Sequence, residues 1–208
     1  MSINRLFRHQ NLVKIFLEVP RDVRGDIAEC GCARGLSSLE LCIAERTVDP
    51  AWMGEGFHIF DSFKGLSEPT EKDRRFDASG VNRALLAANM AAGRYAFPLE
   101  LVARNVHRDF PHVRLHPGWI PEVFSEQPDR TYRFVHIDVD LYQPTMDSLR
   151  YFFPRMAAGG VIITDDYNWP GARAAFDEFS GEQGLELFTT ETSQAFLRKP
   201  AGGTSRKA

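Results

Sequence analysis

Four short apolar runs, each closing in an acid or a glycine, constrain this chain more than any other feature. They are "GDIAEC" before Gly31, "GFHIFD", "RFVHIDVD" and "GGVIITDD". A fifth run, "HVRLHPG", lies between the second and third. Helical patterns alternate with them, such as "LSSLELCIAERT" with Leu36, Leu39 and Ile43 on one face, and "QPTMDSLRYFFPRM". Strands alternating with helices imply an α/β fold, a mostly parallel sheet covered on both faces. Ligands of such sheets bind at the carboxyl ends of the strands, near the point where strand order reverses. The residues to weigh are therefore Glu29, Cys30 and Gly31, then Asp61, then Asp138 to Asp140, then Asp165 and Asp166.

The remaining elements complete one domain. Residues 1–20 read as an amphipathic helix ended by Pro20, "VNRALLAANMAAG" as an alanine-rich helix, and Ile120 to Glu126 as a short one. "PGARAAFDEFS" opens a helix with Pro170, where proline is tolerated. "LELFTT" and "QAFLRK" form a closing antiparallel pair, and the tail "PAGGTSRKA" is expected to be disordered.

At 208 residues and 43% hydrophobic content the chain can bury one sizeable core. Its net charge of -3 and scattered basic residues argue against a nucleic-acid partner. No apolar run approaches the length of a membrane span. The N-terminus lacks the apolar core and cleavage site of a signal peptide, so a cytoplasmic location is expected. Homo-oligomer formation is left open.

"AECGCARGLSS" poses a choice between cysteine chemistry and a glycine loop. Three cysteines, Cys30, Cys32 and Cys42, do not make a disulfide framework. A zinc site needs about four ligands, and no further Cys or His stands at a matching spacing. The cysteines read as small residues of a buried strand and its turn. Gly31 and Gly35, between strand and helix, allow the backbone to turn tightly beside a ligand. The spacing is not that of a dinucleotide loop. An acid at Glu29 would repel a pyrophosphate but suits a cationic ligand such as S-adenosylmethionine. Asp61 ends the next strand, where an acid can accept hydrogen bonds from ribose hydroxyls.

"GDIAECGCARGLSS", "HIFDSFKGL", "HIDVDLYQPTMDSL" and "GGVIITDDYNWPGARAAFDEF" together resemble the TylF/MycF, or macrocin O-methyltransferase, family over about residues 25–198. The resemblance implies a Rossmann-like class I methyltransferase fold, one domain over 1–200. It implies S-adenosylmethionine and a divalent metal, used to methylate sugar hydroxyls of natural products. Carried onto this sequence, it places Glu29, Gly31, Ser37, Asp61, Ser62 and Asp138 at the cofactor, with Gly118 and Trp119 near the adenine. It places metal and base functions at Asp138, Asp140, Asp165 and Asp166. The chain departs from the family in a short N-terminus and in residues 67–97, where relatives place a lid.

The acids carry chemistry of their own. Asp138, Asp165 and Asp166 end adjacent strands, and converging carboxylates repel unless a cation neutralises them. Oxygen ligands favour a hard ion, Mg2+ first. A metal stabilises the alkoxide of a hydroxyl substrate, and Asp140, two residues after Asp138 and on the same strand face unless the strand end bends there, is placed to take the proton. Each acid alone has a plainer reading: Asp166 in a turn before Pro170, Asp140 paired with Arg173. His136 and His58 read as buried, hydrogen-bonded histidines. Tyr142, Tyr167 and Trp169 follow the acidic strand ends and are candidate walls of a sugar pocket, with Arg173 a candidate substrate contact. Two other functions stand beside sugar methylation: methylation of a catechol-like or other small hydroxyl, and a non-catalytic cofactor-binding protein.

Overall fold

A computed structural model of the chain describes residues 3–74 and 88–201. Five parallel strands form its centre: β1 (Asp26–Cys30), β2 (Phe57–Asp61), β3 (Arg114–Pro117), β4 (Tyr132–Ile137) and β5 (Met156–Thr164). They are joined by β6 (Leu187–Thr189) and β7 (Ala195–Arg198) in one sheet of order β3-β2-β1-β4-β5-β7-β6. β7 runs antiparallel to both β5 and β6, as the closing pair of the sequence requires.

The strands read as continuous apolar runs because both faces are buried. Ile27, Phe57, Ile59, Phe134 and Ile163 pack beneath α1 (Ile3–Leu17), α2 (Leu36–Val48) and α3 (Leu99–His107). Ala28, Cys30, Phe60, Val135 and Ile162 face the other way, toward α4 (Tyr142–Phe152) and α5 (Pro170–Gln183). α1 stops at Leu17, three residues short of Pro20, because proline disfavours helix in the residue before it and offers no donor of its own. The expected short helix after Ile120 is a single 3-10 turn, Glu122–Phe124. Most of the alanine-rich helix and the middle of the 67–97 segment fall on residues 75–87, outside the described residues, as does the tail from 202.

One helical face differs from expectation. Leu36 and Ile43 are 38% and 52% exposed, while Ser37, Ser38, Leu41, Cys42 and Ala44 are buried. The buried carboxylate of Glu29 lies under the start of α2 and takes a hydrogen bond from the Ser38 hydroxyl. Leaving that charge without a donor would cost more than burying Leu36 would gain, so the helix presents its serine side to the sheet.

Candidate active site

Where strand order reverses, β1 leads into α2 on one face and β4 leads into α4 on the other. The helices leave in opposite directions and open a crevice at the strand ends. A cavity of about 530 Å³ fills it, walled by the loop after β1, the ends of β2 and β4, the segment after β3 and part of α1.

The loop after β1 is held from both sides. Gly31 has a left-handed φ of 78°, and a Cβ there would collide with the carbonyl oxygen of Asp138. Glycine is thus required first by the neighbouring strand's own backbone, before any ligand is considered. On the other side the Asp61 carboxylate accepts the Cys32 amide at 2.8 Å and the Phe63 amide at 2.7 Å. Gly118 donates its amide to the Asp61 carbonyl at 2.9 Å, and the Ser62 hydroxyl donates to the Gly65 carbonyl at 2.9 Å. Gly31, Ser37, Asp61, Ser62, Gly118 and Trp119 all line the cavity.

Glu29 is among the sequence candidates but lies beneath the cavity, not in its wall. Its carboxylate is fully buried, taking the Ser38 hydroxyl on one oxygen and His136 Nδ1 at 2.9 Å on the other. His136 Nε2 in turn sits 3.3 Å from Asp165 Oδ1. Burial alone would lower the His136 pKa, but Asp165 and Glu29 outweigh it and hold the imidazole well above its usual range. The expectation of a buried, bonded histidine is met, and its two partners join the acids after β1 and β5.

The acids beyond β4 and β5 meet at the far end of the cavity. Asp138, Asp140 and Asp166 line it. β4 ends at Ile137, so Asp140 does not reach the site by strand alternation, as the i, i+2 spacing suggested. Its left-handed backbone, φ 59°, turns the chain back, and its amide donates to Asp166 Oδ2 at 2.9 Å. Burial, then the charge of Asp138, pushes the Asp140 carboxyl up to about 7. Asp138 is raised by burial and by Asp165, and Asp166 is raised well above the carboxylate range by burial, Asp140 and Asp138. Three crowded acids that hold their protons in this way are a donor set that fits a hard divalent cation.

Asp165 is different. Burial pushes it up as well, but His136, Arg8 and Gln194 together hold it below its usual value. His136, Asp138 and Asp165 can each offer a ligand atom within 4.8 Å of one another. Asp165 nonetheless points toward α1, where Arg8 Nε lies 3.1 Å from its Oδ2. Arg8, with Arg5 and His9, also forms the α1 side of the cavity, which none of the sequence motifs foretold.

Tyr142, Tyr167 and Arg173 do not line the cavity. The Tyr142 hydroxyl donates to Glu178 at 2.7 Å and its ring lies under Lys72. The Tyr167 hydroxyl donates to Asp177 at 2.6 Å, and Arg173 covers the Tyr167 ring while bonding its carbonyl. The two tyrosines turn outward because each hydroxyl finds a carboxylate on α5, and Arg173 follows Tyr167. Trp169, Tyr95 and Phe97 supply the aromatic wall instead.

The cysteines are free and buried. Burial raises the Cys30 and Cys32 thiols far above the range in which a thiolate forms, and the side chains placed to share an ion are His136, Asp138 and Asp165 instead.

Known proteins resemble this chain in sequence and fold. The chain is 31% identical over 170 residues to the 8-demethyl-8-(2,3-dimethoxy-alpha-L-rhamnosyl)-tetracenomycin-C 4'-O-methyltransferase of Streptomyces olivaceus, a match covering 78% of this chain and 60% of that protein. It is 29% identical to the mycinamicin III 3''-O-methyltransferase of Micromonospora griseorubida, over 97% of this chain and 78% of the relative. Among solved structures, the O-methyltransferase NovP superposes with a TM-score of 0.72 at 26% identity, covering 96% of this chain and 81% of that one. The model of the macrocin-O-methyltransferase (TylF) family matches residues 4–199. With the crevice, the glycine loop and the match in agreement, the chain belongs to the macrocin-O-methyltransferase family of enzymes.

Proposed function

We propose that this protein transfers a methyl group from S-adenosylmethionine to a hydroxyl of a sugar or glycosylated natural product, with a divalent cation at its acidic end. One observation carries the reading. A single cavity runs from the glycine loop and Asp61 to Asp138, Asp140 and Asp166, so cofactor-binding groups and converging acids face the same space. The rhamnosyl and macrolide acceptors in the names of the relatives support a sugar-bearing substrate.

In this reading Asp61 keeps its two backbone bonds and presents its remaining lone pairs to the ribose hydroxyls. Gly31 and Ser37 leave room along the loop, and Gly118 and Trp119 flank the base. Bound S-adenosylmethionine supplies an electrophilic methyl group. Asp138, Asp166 and Asp165 would hold the cation, Mg2+ first, and a cation there would make a hydroxyl more acidic. Asp140 would then accept the hydroxyl proton on its carboxylate, which faces the same cavity. Trp169, Tyr95 and Phe97 wall off water and offer flat faces to a sugar ring.

The test is methyl transfer from labelled cofactor to a panel of deoxysugar glycosides, free sugars and catechols, with Mg2+ and with chelator. Turnover of glycosides that chelator abolishes is the expected result. Turnover of catechols alone would move the acceptor class, and turnover in chelator would remove the metal.

A further inference from the structure

Asp165 is the acid of the cluster that α1 already claims. Arg8 Nε approaches its Oδ2 at 3.1 Å, and Gln194 Nε2 donates both to its Oδ1 at 2.8 Å and to the Arg8 carbonyl at 2.9 Å. Main chain and side chain of Arg8 therefore converge on one carboxylate. Arg8 Nε forms no directed hydrogen bond, although it lies within ion-pair distance of Asp165. Gln194 and His136 thus supply the hydrogen bonds of the carboxylate, while Arg8 holds it by charge. Such a grip yields to a stronger cation, because its directional part is missing. Around it stand Glu29, Asp138, Asp140 and Asp166, with the positive charges of Arg8 and His136 set among them.

We propose that Arg8 is a resident cation that occupies Asp165 Oδ2 in competition with the divalent metal, so that metal binding displaces the guanidinium and loosens α1 from the site. This rests on the metal reading above and deepens it: the N-terminal helix and the ion bind the same oxygen. By linkage, whatever weakens the Arg8 grip strengthens the ion's, and the ion weakens the docking of α1 in equal measure.

Mn2+ is the probe, with free ion measured by its electron paramagnetic signal in the cofactor-free full-length protein, and no turnover is needed. R8Q should bind Mn2+ about tenfold more tightly than wild type, within the range usual for coupled sites. R8K, which keeps a charge but loses the planar guanidinium, should fall between them. Hydrogen exchange of α1 amides should quicken on adding Mn2+ to wild type. Leu12, Ile15 and Phe16 anchor α1 independently of Arg8, so R8Q should keep the wild-type circular dichroism. Equal or weaker Mn2+ binding by a folded R8Q overturns the competition while leaving the metal reading intact. Binding by neither protein overturns both.

Discussion

The amide of Asp140 donates to Asp166 Oδ2 at 2.9 Å, tying the loop after β4 to the loop after β5. The bond fixes the left-handed turn at Asp140 and leaves that residue's own carboxylate facing the cavity. Asp140→Asn keeps the backbone bond and removes only the proton acceptor. Its turnover should fall roughly 10²–10⁴-fold, with Mn2+ and S-adenosylhomocysteine affinities near wild type. A fully active D140N variant would dismiss Asp140 as the base.

Asp165→Asn should weaken Mn2+ binding in the same titration, and excess Mg2+ should partly restore the rate. The variant also loses the charge that Arg8 and His136 face. An unchanged dissociation constant would show that the ion is held without this acid.

Asp61→Ala should weaken S-adenosylhomocysteine by about 1–3 kcal/mol, the scale of lost charge-assisted hydrogen bonds. The same change frees the Cys32 and Phe63 amides, so thermal stability should drop as well. Calorimetry on D61N, which retains an acceptor oxygen, separates the two effects. Equal affinity in both variants and wild type would take Asp61 out of the cofactor site.

Cys30 and Cys32 should resist alkylation in the folded protein and react only after denaturation, because burial keeps both thiols protonated. Alanine at both positions should leave Mn2+ stoichiometry unchanged and cost stability alone. Loss of bound Mn2+ in the double variant would return the Cys-Gly-Cys motif to consideration.

Stability should fall with acid through a histidine chain away from the site. His116 Nε2 lies 2.9 Å from His58 Nδ1, whose Nε2 lies 3.1 Å from Asp26 Oδ2. Burial, then His58, lowers the His116 pKa from 6.5 to about 4. The unfolded chain therefore takes up this proton first. His116's contribution is complete above pH 6.5 and is lost as pH falls toward about 4. H116Q should flatten the fall in melting temperature across that window. An unaltered slope would assign it to other groups.

Much of this was legible in the chain because local pattern carried it. Apolar runs closing in Asp61, Asp138 and Asp165 gave the parallel sheet, the antiparallel end and the side of the sheet where a ligand sits. What was misread depended on partners distant in sequence. Leu36 and Ile43 face outward because Glu29 demands Ser38. Asp140 arrives by a left-handed turn that no alternation rule contains. Tyr142 and Tyr167 turn to Glu178 and Asp177, which local order does not reveal. Arg8 did leave a trace. It precedes Leu12 by four and Ile15 by seven, in line with the buried stripe of α1, and a charge in such a stripe calls for a buried counter-charge.

Gln194 reaches residues 8 and 165 with a single side-chain nitrogen. During synthesis the first helix emerges long before that side chain exists, and β7, the neighbour of β5, is not yet made. Contacts of such long sequence separation form late, after loop entropy has been overcome. A chain that lacks residue 194 would thus lack the clasp between the first helix and Asp165.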